Sequence, residues 1–189
     1  MVIDAGANIG LISIPIAQAV KARGGIVHAF EAQRMMFYAL CGAAALNDLE
    51  NLFVWHRAIG AAQGMIAMPA IDYAKPQDFG MVNLVAPPAG EAGETIDLIT
   101  IDSLTLPRLD FLKIDVEGME ISVLQGARTA LHHHLPWCWV EYWKVGRDEI
   151  RAQFAGLDYQ FYLMDNLNML CAPAERLAAS KISIRAPEA

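Results

Sequence analysis

Residues 1–10 read Met-Val-Ile-Asp-Ala-Gly-Ala-Asn-Ile-Gly, and residues 11–22 continue as LISIPIAQAVKA. An apolar run closes on Asp4, a loop carrying Gly6, Asn8 and Gly10 follows, and an apolar stretch of helical length begins at Leu11. That succession is strand, glycine loop, helix. In a parallel α/β sheet, ligands sit outside the carboxyl ends of the strands, where a loop backed by a helix N-terminus presents bare backbone amides. Gly6 and Gly10 let the backbone approach a ligand closely. Asn8 adds an amide side chain at the centre of the loop, and Asp4 adds an acceptor suited to an amino group or a positive charge.

Spacing separates two nucleotide-like cofactors. A dinucleotide fingerprint, Gly-x-Gly-x-x-Gly or Ala, started at Gly6 falls on Asn8 and Leu11, so its second and third positions fail. The pattern Asp-x-Gly-x-Asn-x-Gly is met throughout. It resembles the S-adenosylmethionine loop of class I methyltransferases. The plainer alternative is a tight strand-to-helix turn in which Asp4 satisfies backbone amides.

At 189 residues with 55% apolar content, the chain suffices for one domain with a real core, and a single domain over residues 1–189 is expected. Mean hydropathy is high at +0.30. Even so, Pro, Gly and charges interrupt the apolar runs well short of the ~18 residues a membrane span needs. Three widely spaced cysteines, Cys41, Cys138 and Cys171, lie among apolar neighbours. They read as reduced core thiols in a cytoplasmic protein rather than a disulfide frame or zinc site. A net charge of −7 without a basic cluster argues against nucleic acid as a partner. The first residue already belongs to the first strand, so the segment that commonly precedes it in class I methyltransferases is expected to be absent.

Ile26 to Glu31 forms the second predicted strand after Gly24-Gly25. Glu31 closes it roughly twenty residues past the glycine loop, where a carboxylate reaches ribose hydroxyls in nucleotide-binding β-α-β units. A helix over Arg34 to Ala45 and a third strand over Leu52 to Ile59 follow. The third strand brings His56, Arg57 and Ala58 to its carboxyl end, near the usual adenine position. Residues 61 to 94 are rich in Gly and Pro, with Met65 to Ile71 and Met81 to Val85 as candidate hairpin strands. In Phe111 to Gly118, FLKIDVEG, period-two alternation places Lys113, Asp115 and Glu117 on one face, an arrangement that is costly unless the charges pair or function. A helix over Met119 to His132, a strand over Trp137 to Trp143 containing Glu141, a helix over Arg147 to Leu157 and a hairpin over Tyr159 to Cys171 complete the expected order. Residues 173–189 read as a polar tail. The adjacent His132, His133 and His134 point different ways on a helix and read as a C-terminal turn, so no metal ligands are assigned.

The succession DAGANIG, AFEA, TIDSL, FLKIDVEGMEISVLQGA, and Pro136 leading to Glu141 resembles the FkbM family of methyltransferases. Lys113 to Ala127 is the most discriminating piece, and Ala32 departs from the proline usual after the second-strand acid. The resemblance implies a Rossmann-like class I methyltransferase fold: a mostly parallel seven-stranded sheet with a C-terminal antiparallel hairpin and helices on both faces. It also implies S-adenosylmethionine as cofactor and a small-molecule or saccharide hydroxyl as acceptor. Asp4, Gly6, Asn8, Gly10, Glu31, Arg57 and Ala58 are the expected cofactor contacts. Asp115, then Glu117, then Glu141 are the candidates for positioning the acceptor or removing its proton. Two alternatives stand beside this: a cofactor-binding module without turnover, and, less favoured by spacing, a nicotinamide-dependent oxidoreductase.

Overall fold

The computed structural model describes residues 1–72 and 92–184. The first stretch forms β1 (Val2–Ala5), α1 (Ser13–Lys21), β2 (Val27–Glu31), α2 (Arg34–Leu46), β3 (Leu52–His56), β4 (Ala58–Ile59) and β5 (Gly64–Pro69). The second forms β6 (Ala92–Ile99), β7 (Phe111–Ile114), α3 (Glu120–Gln125), α4 (Arg128–His134), β8 (Trp137–Glu141), α5 (Arg147–Ala152), β9 (Tyr159–Leu163), β10 (Asn168–Pro173) and α6 (Ala174–Ala179).

Seven strands make the central sheet in the order β3-β2-β1-β7-β8-β10-β9. β10 runs antiparallel to both of its neighbours, and the pairs from β3 through β8 are parallel. This is the expected α/β architecture with its closing antiparallel hairpin. Alternation along the strands explains how both faces are filled. Val2, Val27 and Ala29 pack with Ala17 of α1 and Leu40 of α2. Ile3, Ala5, Leu112 and Ile114 face the other way, against Val123, Leu131 and Ile150 of α3, α4 and α5. None of the helices among the described residues is long and apolar enough to cross a membrane.

Several elements depart from the sequence reading. The expected third strand breaks at Arg57: β3 stays in the main sheet, while β4 pairs in parallel with β6 in a second sheet of order β4-β6-β5. β5 covers most of the first apolar run of the Gly/Pro-rich region, and its antiparallel partner is β6. Met81 to Val85 lies outside the described residues. The expected helix over Met119 to His132 is split at Gly126. A side chain there would collide with the Gly60 carbonyl, and Gly126 O accepts the Asp102 N–H at 2.9 Å. Asp102 then caps α4, accepting from Thr129 N at 2.9 Å and Ala130 N at 2.8 Å. Beyond Pro173 the chain forms α6 rather than a structureless tail, anchored by Arg176 to the Leu135 carbonyl at 2.9 Å.

Candidate active site

The carboxyl ends of β2, β1, β7 and β8 lie side by side, and each delivers a carboxylate or the glycine loop to the same edge of the sheet. Register explains the first contact. Asp4 of β1 sits opposite Lys113 of β7, and both point to the α1 face. Fully buried Asp4 accepts the Ser13 hydroxyl at 2.5 Å and lies 3.1 Å from Lys113 Nζ. The same ammonium donates to the Gly6 carbonyl at 2.6 Å and lies 3.4 Å from Asp115. Burial disfavours the charge on Lys113, but Asp4 and Asp115 more than offset it and its pKa is raised.

The glycine loop is held from below. Gly6, Asn8 and Gly10 all have positive φ, at 79°, 49° and 92°, a region in which only glycine is free of Cβ strain. A side chain on Gly6 would strike the Asp115 carbonyl. Buried Glu31 accepts Asn8 N–H on one oxygen and Gln33 N–H on the other, both at 2.7 Å. Burial pushes the Glu31 carboxyl up; the two amides and Lys113 pull the other way. Gly6 and Ala7 N–H groups both bond the Phe30 carbonyl at 3.0 Å. Much of the loop's donor capacity is therefore spent internally, and its contribution is shape.

β7 ends at Ile114, so Asp115 and Glu117 leave the strand rather than continue its face. Asp115 N–H bonds the Ala5 carbonyl at 3.1 Å, and its side chain is 38% exposed. Glu117 (φ 59°) and Gly118 (φ 102°) turn the chain, and Glu117 ion-pairs with Lys144. Fully buried Glu120 braces this turn, accepting Val116 N–H at 3.2 Å and Gly118 N–H at 3.0 Å on one oxygen. Glu141, at the end of β8, has its pKa raised to about 7 by burial, then by the charges of Asp115 and Glu120; Trp143 and Lys113 oppose the shift. Burial lowers the Lys144 pKa.

Over residues 4–161 the chain matches the Methyltransferase FkbM domain. The chain belongs to this family. This FkbM domain is similar in structure to a methyltransferase FkbM from Methylobacillus flagellatus, at 19% identity and a TM-score of 0.62, covering 90% of this chain and 42% of that one. It therefore spans less than half the length of that relative. An rRNA methylase from Streptococcus thermophilus shares the fold at 11% identity and a TM-score of 0.50, covering 90% of this chain and 82% of the other. No curated protein matches the chain.

In the FkbM domain the expected residues divide. Gly6, Asn8, Gly10 and Glu31 meet at one loop, and Asp115, Glu117 and Glu141 meet beside it, each offering an oxygen within 4.8 Å of the others. Asp4 belongs to the support beneath the loop, since both its oxygens face Ser13 and Lys113. Ala58 is buried in the second sheet. Arg57 lies 3.6 Å from Asp97 and stacks over Trp55. Sequence reasoning missed Ser13, Glu120 and Lys144. Ser13 and Lys144 carried no signal; Glu120 had one, an acid just past a glycine turn. A cleft of about 200 Å³ runs between Ala32–Arg34 and Met68–Ile71, with Glu94 on its wall. A larger one, about 490 Å³, opens at the opposite edge, where its only carboxylate, Asp110, is already paired with Met1 N and Arg108.

Proposed function

We propose that this domain binds S-adenosylmethionine at the Gly6–Gly10 loop and directs its methyl group to a hydroxyl oxygen of a small molecule or saccharide. The observation that carries this reading is the convergence, on one sheet edge of an FkbM domain, of the positive-φ loop, Glu31 and three acceptor-side carboxylates. The residues present fit the cofactor. The loop is opened by positive φ at Gly6, Asn8 and Gly10, Ile9 and Leu11 are exposed beside it, and Glu31 retains acceptor lone pairs beyond the two amides it already binds.

When bound, the cofactor supplies an electrophilic methyl carbon. The chain's own part is to orient the acceptor and hold its proton. Asp115 is more exposed than Glu117, 38% against 17%, and it takes the acceptor hydroxyl's hydrogen bond and then its proton. Lys113 keeps that carboxylate aligned with the loop. Glu141, with a pKa of about 7, is poised to share the proton near neutral pH. The free thiols of Cys41, Cys138 and Cys171 support a cytoplasmic setting.

Calorimetry is expected to show binding of S-adenosylmethionine and its demethylated product, and none of NAD; the reverse pattern would overturn the proposal. Asp115→Asn should leave cofactor affinity nearly unaltered and lower methyl transfer by roughly 10²–10⁴-fold, the loss typical of a missing general base. Cofactor binding without methyl transfer to any member of a hydroxyl-acceptor panel would favour a binding module instead.

A further inference from the structure

We propose that Asp115, Glu117 and Glu141 form a site for a hard divalent cation, Mg²⁺ or Mn²⁺, beside the glycine loop. The two strands that carry them are neighbours, with Ile114 opposite Val140. The turn after β7 presents two carboxylates and the end of β8 presents the third, with one oxygen of each within 4.8 Å of the others. Oxygens on opposite sides of one such ion are separated by about 4–5 Å, twice the metal–oxygen distance.

A second observation comes from outside this trio. Glu120 is fully buried, and one of its oxygens is bonded to the amides of Val116 and Gly118. Its other oxygen has no hydrogen-bond partner among the described residues. The carboxylate thus lies inside the turn that displays Asp115 and Glu117, and its charge is among those acting on Glu141. Glu141 Oε2 is likewise buried without a hydrogen-bond partner among the described residues. Buried carboxylate oxygens without donors are costly. A cation would answer the Glu141 oxygen directly and the Glu120 oxygen through a metal-bound water, as outer-shell carboxylates commonly do.

Charge points the same way. Lys113 is shared with Asp4, and Lys144 is held against Glu117. Two ammonium groups therefore face Asp4, Asp115, Glu117, Glu120 and Glu141. Lys144 marks a place where positive charge is already favoured and competes with the ion for Glu117. An all-carboxylate set favours Mg²⁺, Ca²⁺ or Mn²⁺ over softer ions. The ion's binding stands independently of the methyltransferase reading; only its use, holding an acceptor oxygen, rests on that reading.

The test is Mn²⁺ binding to the full chain after chelation, followed by electron paramagnetic resonance with Mg²⁺ as competitor. One saturable site per chain is expected. Glu141→Gln should weaken it by at least roughly tenfold, and Lys144→Gln should tighten it several-fold by removing the competing ammonium. The lysine variant keeps every carboxylate, so it reports even if Glu141→Gln fails to fold. No saturable Mn²⁺ binding up to the low-millimolar range of weak oxygen sites, or no tightening in Lys144→Gln, would overturn the site. Titrating the same samples with S-adenosylhomocysteine separates the two proposals. Its binding without Mn²⁺ sinks only the cation site, and Mn²⁺ binding without it sinks only the cofactor reading.

Discussion

The loop after β1 and the turn after β7 leave adjacent strands, and each is braced by one buried glutamate, Glu31 for the first and Glu120 for the second. They differ in what the brace leaves over. Glu31 uses both oxygens, one on Asn8 and one on Gln33, and ties the glycine loop to the end of β2. Glu120 uses one oxygen and keeps the other without a hydrogen bond among the described residues, within a turn that also gathers Asp115 and Glu117. The first loop is a finished shape whose own charges are satisfied, suited to recognising a ligand by contour. The second is a concentration of charge still short of counterions, suited to moving protons or holding cations.

Breaking the element common to both should have the largest effect. Lys113→Met removes the cation paired with buried Asp4 and should cost about 3–5 kcal/mol, the range for a buried ion pair that loses one partner; urea melts measure it. A loss below about 1 kcal/mol would mean that the two loops do not depend on this lysine.

The next effect sharpens the contrast between the braces. Glu31→Gln has a single carbonyl oxygen left for two amides and should lose roughly 1.5–3 kcal/mol, with weaker binding of S-adenosylhomocysteine. Glu120→Gln can keep both of its bonds on one oxygen and should lose less than about 1 kcal/mol. Equal losses would remove the distinction between the two loops.

The smallest effect is a pH slope. Because the folded-state pKa of Glu141 is raised from 4.5 to about 7, the folded protein holds a proton there that the unfolded chain releases. Stability from this group is therefore present below about pH 4.5 and is lost as pH rises toward 7. In chelator-treated protein, Glu141→Gln should flatten the decline in Tm across that window. An unchanged slope would place the neutral-range titration elsewhere.

The order of elements was legible because the apolar runs, the glycine loop and the FLKIDVEG stretch each carry a local pattern. What failed to show was set by distant partners. Leu52 to Ile59 contains no turn residue, so nothing local reveals that the chain leaves the main sheet at Arg57; β6, some forty residues on, draws it away. Gly126 interrupts a continuous helical pattern only because the Gly60 carbonyl lies against it. In the site, the two carboxylate sets could be placed from strand ends alone. That Asp4 faces inward depended on α1 supplying Ser13 nine residues on, and on the Asp4–Lys113 register, which joins positions more than a hundred residues apart.

Lys113 bonds the Gly6 carbonyl on one side and lies beside Asp115 on the other. A group shared in this way makes the two loops thermodynamically reciprocal. Whatever occupancy of the glycine loop does, through this ammonium, to the affinity of the acidic turn, occupancy of the turn must do to the affinity of the loop, by the same free energy. Ligands at the two loops would then sense one another through a single side chain, by the same amount whichever binds first.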